Sequence, residues 1–314
     1  MTDLSEFGID FKYIPVIAGP TASGKSSLAI RVAQKLGGEI ISCDSMQIYK
    51  GLDIGTAKVT AEEQALVPHR MIDIVEPDVT FSVNDFKIRA EEEIRDILSS
   101  KRMPVLCGGT GQYISALCEG IKYVDEPVDK SITDKLNKEF EENGIDAIYD
   151  ELVKIDPEAA SKIHKNNTRR VLRAYAVYLG TGKTFTWWNQ NSKTTGPSFP
   201  FKVFCYDIDR AVLYDRINQR VDVMMEEGLE EEVKGLYESG KIMNSTARQA
   251  IGYKELFDYF AGECSIDKAV YEIKLRSRHY AKRQLTWFRY MEGIKYLDPS
   301  DPEAAAQAVI SEIS

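Results

Sequence analysis

The sequence predicts an α/β fold: a parallel sheet with helices on both faces, interrupted by a helical insertion domain. Three observations predict it. Short apolar runs alternate with stretches of helical periodicity up to residue 120, the βαβ rhythm of a parallel sheet. The first apolar run feeds a glycine-rich loop ending in lysine and serine, with a helical pattern behind it. Strand signal then fades over 121–199 and resumes at 201.

Taken in order, residues 13–18 (YIPVIA) predict the first strand and 25–36 the first helix. Residues 39–43 (EIISC) and 71–75 (MIDIV) predict the second and third strands. Ser82 and Asp85 mark a helix start, after which Phe86, Ala90, Ile94 and Leu98 recur on one face. Residues 103–107 (MPVLC) predict a further strand, running into Gly108-Gly109. Residues 121–199 are helical in pattern and end in the loop-like NSKTTGPSFP. A strand is expected at 201–208 (FKVFCYDI), then long helices over 210–227 and 266–290. The domains expected are a core of 1–120 and 200–314 and a helical insertion of 121–199.

With 314 residues, 43% of them hydrophobic, the chain can bury a substantial core. No apolar run approaches the roughly 20 residues needed to cross a bilayer. The start MTDLSEFGIDFKY has neither the basic opening nor the apolar stretch of a signal peptide, so a cytoplasmic protein without a membrane partner is expected. Five scattered cysteines without a CxxC pair argue against a zinc site or a disulfide framework and for buried reduced thiols. Net charge is −9, which argues against a chain-wide nucleic-acid footprint. Two stretches nevertheless carry no acid. SKIHKNNTRRVLR (161–173) holds Lys162, Lys165, Arg169, Arg170 and Arg173, and KLRSRHYAKRQLTWFR (274–289) holds six cations. Phosphate-facing surfaces and ordinary solvated helix faces explain such stretches equally well.

Residues 19–26 (Gly19, Pro20, Thr21, Ala22, Ser23, Gly24, Lys25, Ser26) fit G-x-x-x-x-G-K-[ST] between a strand and a helix, the setting a P-loop requires. The fold class is therefore P-loop NTPase-like. Glycines let backbone N–H groups converge on phosphate oxygens, the helix N-terminus adds field, Lys25 adds charge, and the Ser26 hydroxyl can ligate Mg2+. The motif is shared by ATP-binding proteins and does not say which phosphates it holds. A P-loop nucleotidase normally carries an acid at the end of a later strand. Here that strand ends in Gly108-Gly109-Thr110-Gly111. The acid stands instead at the second strand's end, in CDSMQIY, where strand termini face the ligand crevice. Asp44 there could hold a metal through water or act as a general base, and the Gln47 amide suits an adenine edge.

Together these motifs resemble the tRNA dimethylallyltransferase family. The matching segments are GPTASGKS (19–26), DSMQIYKGLDIGTAK (44–58), PHRMIDI (68–74), FSVNDF (81–86) and GGTGQY (108–113). Further on come RRVLRA (169–174), RINQRVDVMMEEGLEEEV (216–233), RQAIGYKEL (248–256) and AKRQLTWFR (281–289). The resemblance implies transfer of a dimethylallyl group from its diphosphate to N6 of adenosine 37 in tRNA, with Mg2+ as cofactor and a monomer as the working unit. Residues 19–26 would hold the diphosphate, with Mg2+ at Ser26. Asp44 would be the base. Ser45, Met46 and Gln47 would line the adenine pocket, with Thr110 beside the nucleotide. Arg220, with Arg216 a second candidate, would clamp the leaving diphosphate. Arg169, Arg170, Val171, Leu172 and Arg173, together with Arg248, Gln249, Ala250, Ile251, Gly252 and Tyr253, would face the anticodon stem-loop.

Some positions depart from the family pattern. Asn167 stands where Asp is common, Tyr175-Ala176 replaces Leu-Glu, Thr133 replaces a basic residue, and Gln112 replaces Leu. The departures bear on tRNA contacts and the prenyl pocket's rim, not on the chemistry. Spacing places Trp287 and Phe288 in packing, leaves Trp187-Trp188 unassigned, and gives the three histidines no ligand pattern. Two other readings remain at this stage: prenylation of free adenine nucleotides, and a P-loop small-molecule kinase. A nucleotide switch is remote, since no N/T-K-x-D element is present.

Overall fold

A computed structural model describes residues 2–122, 128–192, 196–240, 242 and 245–314. The chain divides into two compact units, Met1–Cys118 with Pro197–Ser314, and Glu119–Gly196.

The first unit is built on six parallel strands in the order β3-β2-β4-β1-β5-β6. These are β1 (Ile14–Ala18), β2 (Glu39–Ser42), β3 (His69–Arg70), β4 (Pro104–Gly108), β5 (Phe201–Tyr206) and β6 (Lys295–Leu297). Every residue of β1, β2 and β4 is buried, as expected of parallel strands covered on both faces. Helix α1 (Lys25–Leu36) leaves the glycine loop at Gly24 and stops at Gly37, both left-handed (φ 88° and 58°). A short α2 (Ala61–Leu66) follows. In α3 (Val83–Ser99), Ser82 and Asp85 form the expected capping box, and Phe86, Ala90, Ile94 and Leu98 are all buried.

The third strand differs from expectation. It occupies His69–Arg70, and 71–75 leaves the extended conformation, with positive φ at Met71 (62°) and Asp73 (54°). Met71 and Val75 are buried all the same, so the apolar run reflects core packing by irregular backbone. Ile74 and Val75 both donate N–H to Ile48 O, which replaces a strand's ladder.

After β4 comes α4 (Gly111–Cys118). The second unit contains α5 (Lys130–Asn143), α6 (Asp146–Ile155), α7 (Pro157–Lys162), α8 (Thr168–Thr181) and α9 (Phe185–Asn191). Its core gathers Ile148, Leu152, Ile163, Val171 and Ala174. Asp156 is the polar hub, accepting from Ala159 N, Thr186 N and Thr186 Oγ1 at 3.0, 2.8 and 2.6 Å. Trp188 Nε1 donates to Thr181 Oγ1, while Trp187 is 39% exposed with Lys183 over its ring.

The first unit ends with α10 (Arg210–Glu226), α11 (Leu229–Ser239), α12 (Tyr253–Phe260), α13 (Ile266–Tyr290) and α14 (Pro302–Ile313). Within α13, Phe288 is buried as expected. Trp287 is 45% exposed, a correction to the packing expectation, although its indole N–H donates to Ser115 Oγ at 3.1 Å. Three of the five cysteines, Cys43, Cys107 and Cys205, are buried thiols; Cys118 and Cys264 are half-buried. Burial raises Cys107 to about 11 and Cys205 to about 12, which makes both poor nucleophiles. Among the described residues, no helix is long and apolar enough to cross a membrane.

Candidate active site

The glycine loop turns through three positive φ angles, at Gly19 (146°), Ala22 (61°) and Gly24 (88°), before α1 begins. Lys25 Nζ donates to Pro20 O at 3.2 Å. Arg220 arrives from α10, and its NH1 donates to Thr21 Oγ1 at 3.3 Å. Burial lowers the pKa of both cations, and the Asp44 carboxylate opposes the shift in each. Both side chains line one cavity of about 280 Å³, yet among the described residues neither forms an ion pair. Desolvated, unpaired cations are costly unless an anion comes to meet them. Ser23 is buried beneath the loop and does not line the cavity.

Asp44 follows β2 and lines the same cavity. Its Oδ1 accepts from Met46 N at 2.9 Å and Gln47 N at 3.4 Å, which makes it the cap of a turn as well as a lining residue. Among the described residues its other oxygen carries no hydrogen bond, leaving a carboxylate lone pair for the cavity. Thr110 Oγ1 accepts from Ser45 N at 3.0 Å, tying the strand-end loops together. Tyr280 lines the cavity beside Gln284, and burial pushes its pKa up to about 12. Ala29, Ile40, Ile217, Val221 and Met224 supply apolar wall.

Not every expected residue presents its side chain. Gln47 does not offer a free amide: Nε2 donates to Thr56 O (3.2 Å) and Ala57 O (3.1 Å), and Oε1 accepts from Ser42 Oγ (3.2 Å). It braces the cavity wall instead. Arg216, one turn before Arg220, is exposed and does not line the cavity. Val171 is fully buried in the insertion's core, so it anchors α8 rather than touching a partner. Leu172 is half-buried beside it, and Arg169, Arg170 and Arg173 are exposed. Gln249, Ala250, Ile251 and Gly252 line the cavity, whereas Arg248 lies over the Phe257 ring. Tyr253 is fully buried and reaches Glu232.

Several contributors escaped the sequence reading. Glu232 of α11 accepts the N–H groups of Asp53, Ile54 and Gly55 at 3.1, 2.8 and 3.3 Å, fixing the loop whose carbonyls hold Gln47. Lys58 secures the same loop through Asp53, Asp73 and Tyr49 O. Ser277, Tyr280, Arg283 and Gln284 of α13 line the cavity. The signals present were the acid-free stretch 274–289 and the family segments 216–233 and 281–289, and part of the stretch is structural: Lys274 pairs with Asp222, Arg276 with Glu255, and Arg278 bonds to Asn218. In the other stretch, Lys162 pairs with Glu158 and Lys165 with Asp146.

A family model described as IPP transferase matches residues 47–291, and one described as Isopentenyl transferase matches 12–74. A tRNA dimethylallyltransferase of Geobacillus thermodenitrificans is 48% identical over 94% of this chain and 93% of the relative. The chain belongs to the tRNA dimethylallyltransferase (IPP transferase) family. Solved structures agree. The tRNA isopentenylpyrophosphate transferase of Bacillus halodurans matches with TM-score 0.70 and 41% identity, covering 96% of this chain and 95% of that one. A eukaryotic dimethylallyltransferase described as acting on tRNA matches with TM-score 0.82 and 33% identity, over 95% of this chain and 78% of its own. For a member of this family, the resemblance read from DSMQ, DIGTAK, AIGYKE and KRQLTWFR identified the right relatives.

Proposed function

We propose that the protein transfers a dimethylallyl group from dimethylallyl diphosphate to N6 of adenosine 37 in tRNA, releasing diphosphate. The observation that carries this reading is one cavity that gathers Lys25 and Arg220, without an ion pair among the described residues, an open carboxylate oxygen and apolar walls. A prenyl diphosphate satisfies the cations with its anion and the walls with its hydrocarbon. The adenine amine is a weak nucleophile, so positioning and stabilisation of departing charge must supply the rate. As the N6–C1 bond forms, the C1–O bond breaks with its electron pair leaving on the diphosphate. The N6 proton passes to Asp44. Lys25 and Arg220 neutralise the departing anion, and the apolar wall excludes water that would hydrolyse the allylic centre.

Mg2+ fits the oxygen donors present. Ser26 Oγ and the Asp44 carboxylate line the cavity together, and such an ion favours one or two protein oxygens plus phosphate and water. When bound it would screen diphosphate charge. A single-stranded loop base is cheap to extrude into the cavity, and the cytoplasm, where tRNA resides, is the expected compartment. The working unit is a monomer in this reading.

Incubation with labelled dimethylallyl diphosphate tests the acceptor. Label should enter an unmodified anticodon stem-loop and leave AMP blank; label in AMP alone would refute the tRNA assignment. Phosphoryl transfer from ATP without prenyl transfer would favour the kinase reading. The exposed Arg169, Arg170 and Arg173 should face tRNA phosphates. Arg170→Ala and Arg173→Ala are each expected to weaken tRNA binding and to reduce its logarithmic salt slope by about one, measured by titration at several salt concentrations. If affinity and slope both stay at parent values, α8 is not the RNA clamp.

A further inference from the structure

Gln284 of α13 enters the glycine loop from the side. Its Oε1 accepts the Thr21 N–H at 2.9 Å and its Nε2 donates to Gly109 O at 2.8 Å. The side chain is 5% exposed. It has room only because residue 109 is glycine: a Cβ there would stand 2.3 Å from Gln284 Nε2. Tyr280, four residues earlier, lines the cavity with it. Thr21 is held twice over, since Arg220 takes its side-chain oxygen.

A glycine-rich loop recognises phosphates by the N–H groups it leaves free. Pro20 has none, and the N–H of Thr21 is satisfied by Gln284. Ala22, Ser23 and Gly24 keep theirs unbonded among the described residues, next to Lys25. Within the loop, Pro20 and Thr21 therefore offer no N–H to an anion, while those of Ala22, Ser23 and Gly24 are not taken by the protein among the described residues. We propose that Gln284 is a specificity determinant for the number of phosphoryl groups. Its amide occupies the place at the Thr21 N–H that a third phosphoryl group would take, so the loop accepts a diphosphate and turns away a triphosphate. The inference rests on the prenyl-diphosphate reading and extends it. It explains how a sequence motif shared with ATP-binding proteins can take a different ligand, through a side chain 263 residues away.

The test uses inorganic pyrophosphate and inorganic tripolyphosphate, each with Mg2+, as inhibitors of prenyl transfer and as titrants in calorimetry. The parent protein should bind pyrophosphate on the order of tenfold more tightly than tripolyphosphate, about the worth of one charged hydrogen bond. Gln284→Ala should erase that preference, a gain of triphosphate binding that mere loosening of the fold would not produce. Gln284→Met fills the same space but frees the Thr21 N–H, and should lose the preference as Gln284→Ala does. A folded Gln284→Ala protein with an unchanged ratio overturns the proposal. Should that variant not fold, the parent decides alone: equal affinity for the two polyphosphates, competing for one site, also overturns it. A parent enzyme that transfers label yet binds both equally refutes only the role of Gln284. One that transfers no label refutes the function itself.

Discussion

Asp44→Asn is expected to lower the single-turnover rate of prenyl transfer by roughly 10²–10⁴-fold, the range typical of a lost general base, while tRNA affinity stays close to that of the parent. The substitution is chosen for what it preserves. Oδ1 accepts from Met46 N and Gln47 N, and an asparagine oxygen can accept both, so the turn that shapes the acceptor side should persist. The Ser45–Thr110 contact does not involve the carboxylate and should also survive. What disappears is the proton affinity of the oxygen facing the cavity. With no group to receive the N6 proton, the amine must carry positive charge as the C–N bond forms. Rapid-quench measurement with enzyme in excess isolates this step from product release, and tRNA titration supplies the control. A single-turnover rate equal to the parent's would remove Asp44 from the role of base. A parallel loss of tRNA affinity would instead assign it to scaffolding.

The legible and illegible parts of this molecule differ in sequence separation. The glycine loop, the capping box at Ser82 and the buried strands are local patterns: the residues that make them are neighbours in the chain. Asp44 was legible because a strand end in a parallel sheet faces the ligand crevice, an inference that needs only the strand. Gln284 meets Thr21 across 263 residues, and Glu232 meets Asp53 across 179, so no window on the chain reveals either. Gln47 shows a subtler limit. Its chemistry suits an adenine edge, but the donors it offers are satisfied by Thr56 and Ala57, and only coordinates distinguish a free amide from an occupied one. The misplaced third strand has the same origin. Apolar composition in 71–75 reports burial, which does not require extension: Met71 and Asp73 adopt left-handed backbone.

Arg220→Gln is expected to reduce kcat by about 10²–10³-fold, comparable to the loss of one preorganised donor to developing negative charge. Arg220 is partly buried, carries no ion pair among the described residues, and is held by Thr21 Oγ1 rather than by an acid. A cation kept without a counter-ion in a desolvated site stabilises an anion more strongly than one already neutralised, because nothing must first be displaced. Diphosphate gains charge on its former ester oxygen as the allylic C–O bond breaks, so the interaction strengthens between ground and transition states. The loss should therefore fall on kcat more than on KM for the prenyl donor. Glutamine removes the charge and, two atoms shorter, the hydrogen bond to Thr21 as well, whereas Arg220→Lys keeps the charge and serves as the control. A rise in KM with kcat unchanged would place Arg220 in ground-state binding. The exposed Arg216 provides the internal comparison, since it sits one helical turn away, outside the cavity. If Arg216→Gln slowed transfer as much as Arg220→Gln, general electrostatics of α10 rather than a placed guanidinium would account for the effect.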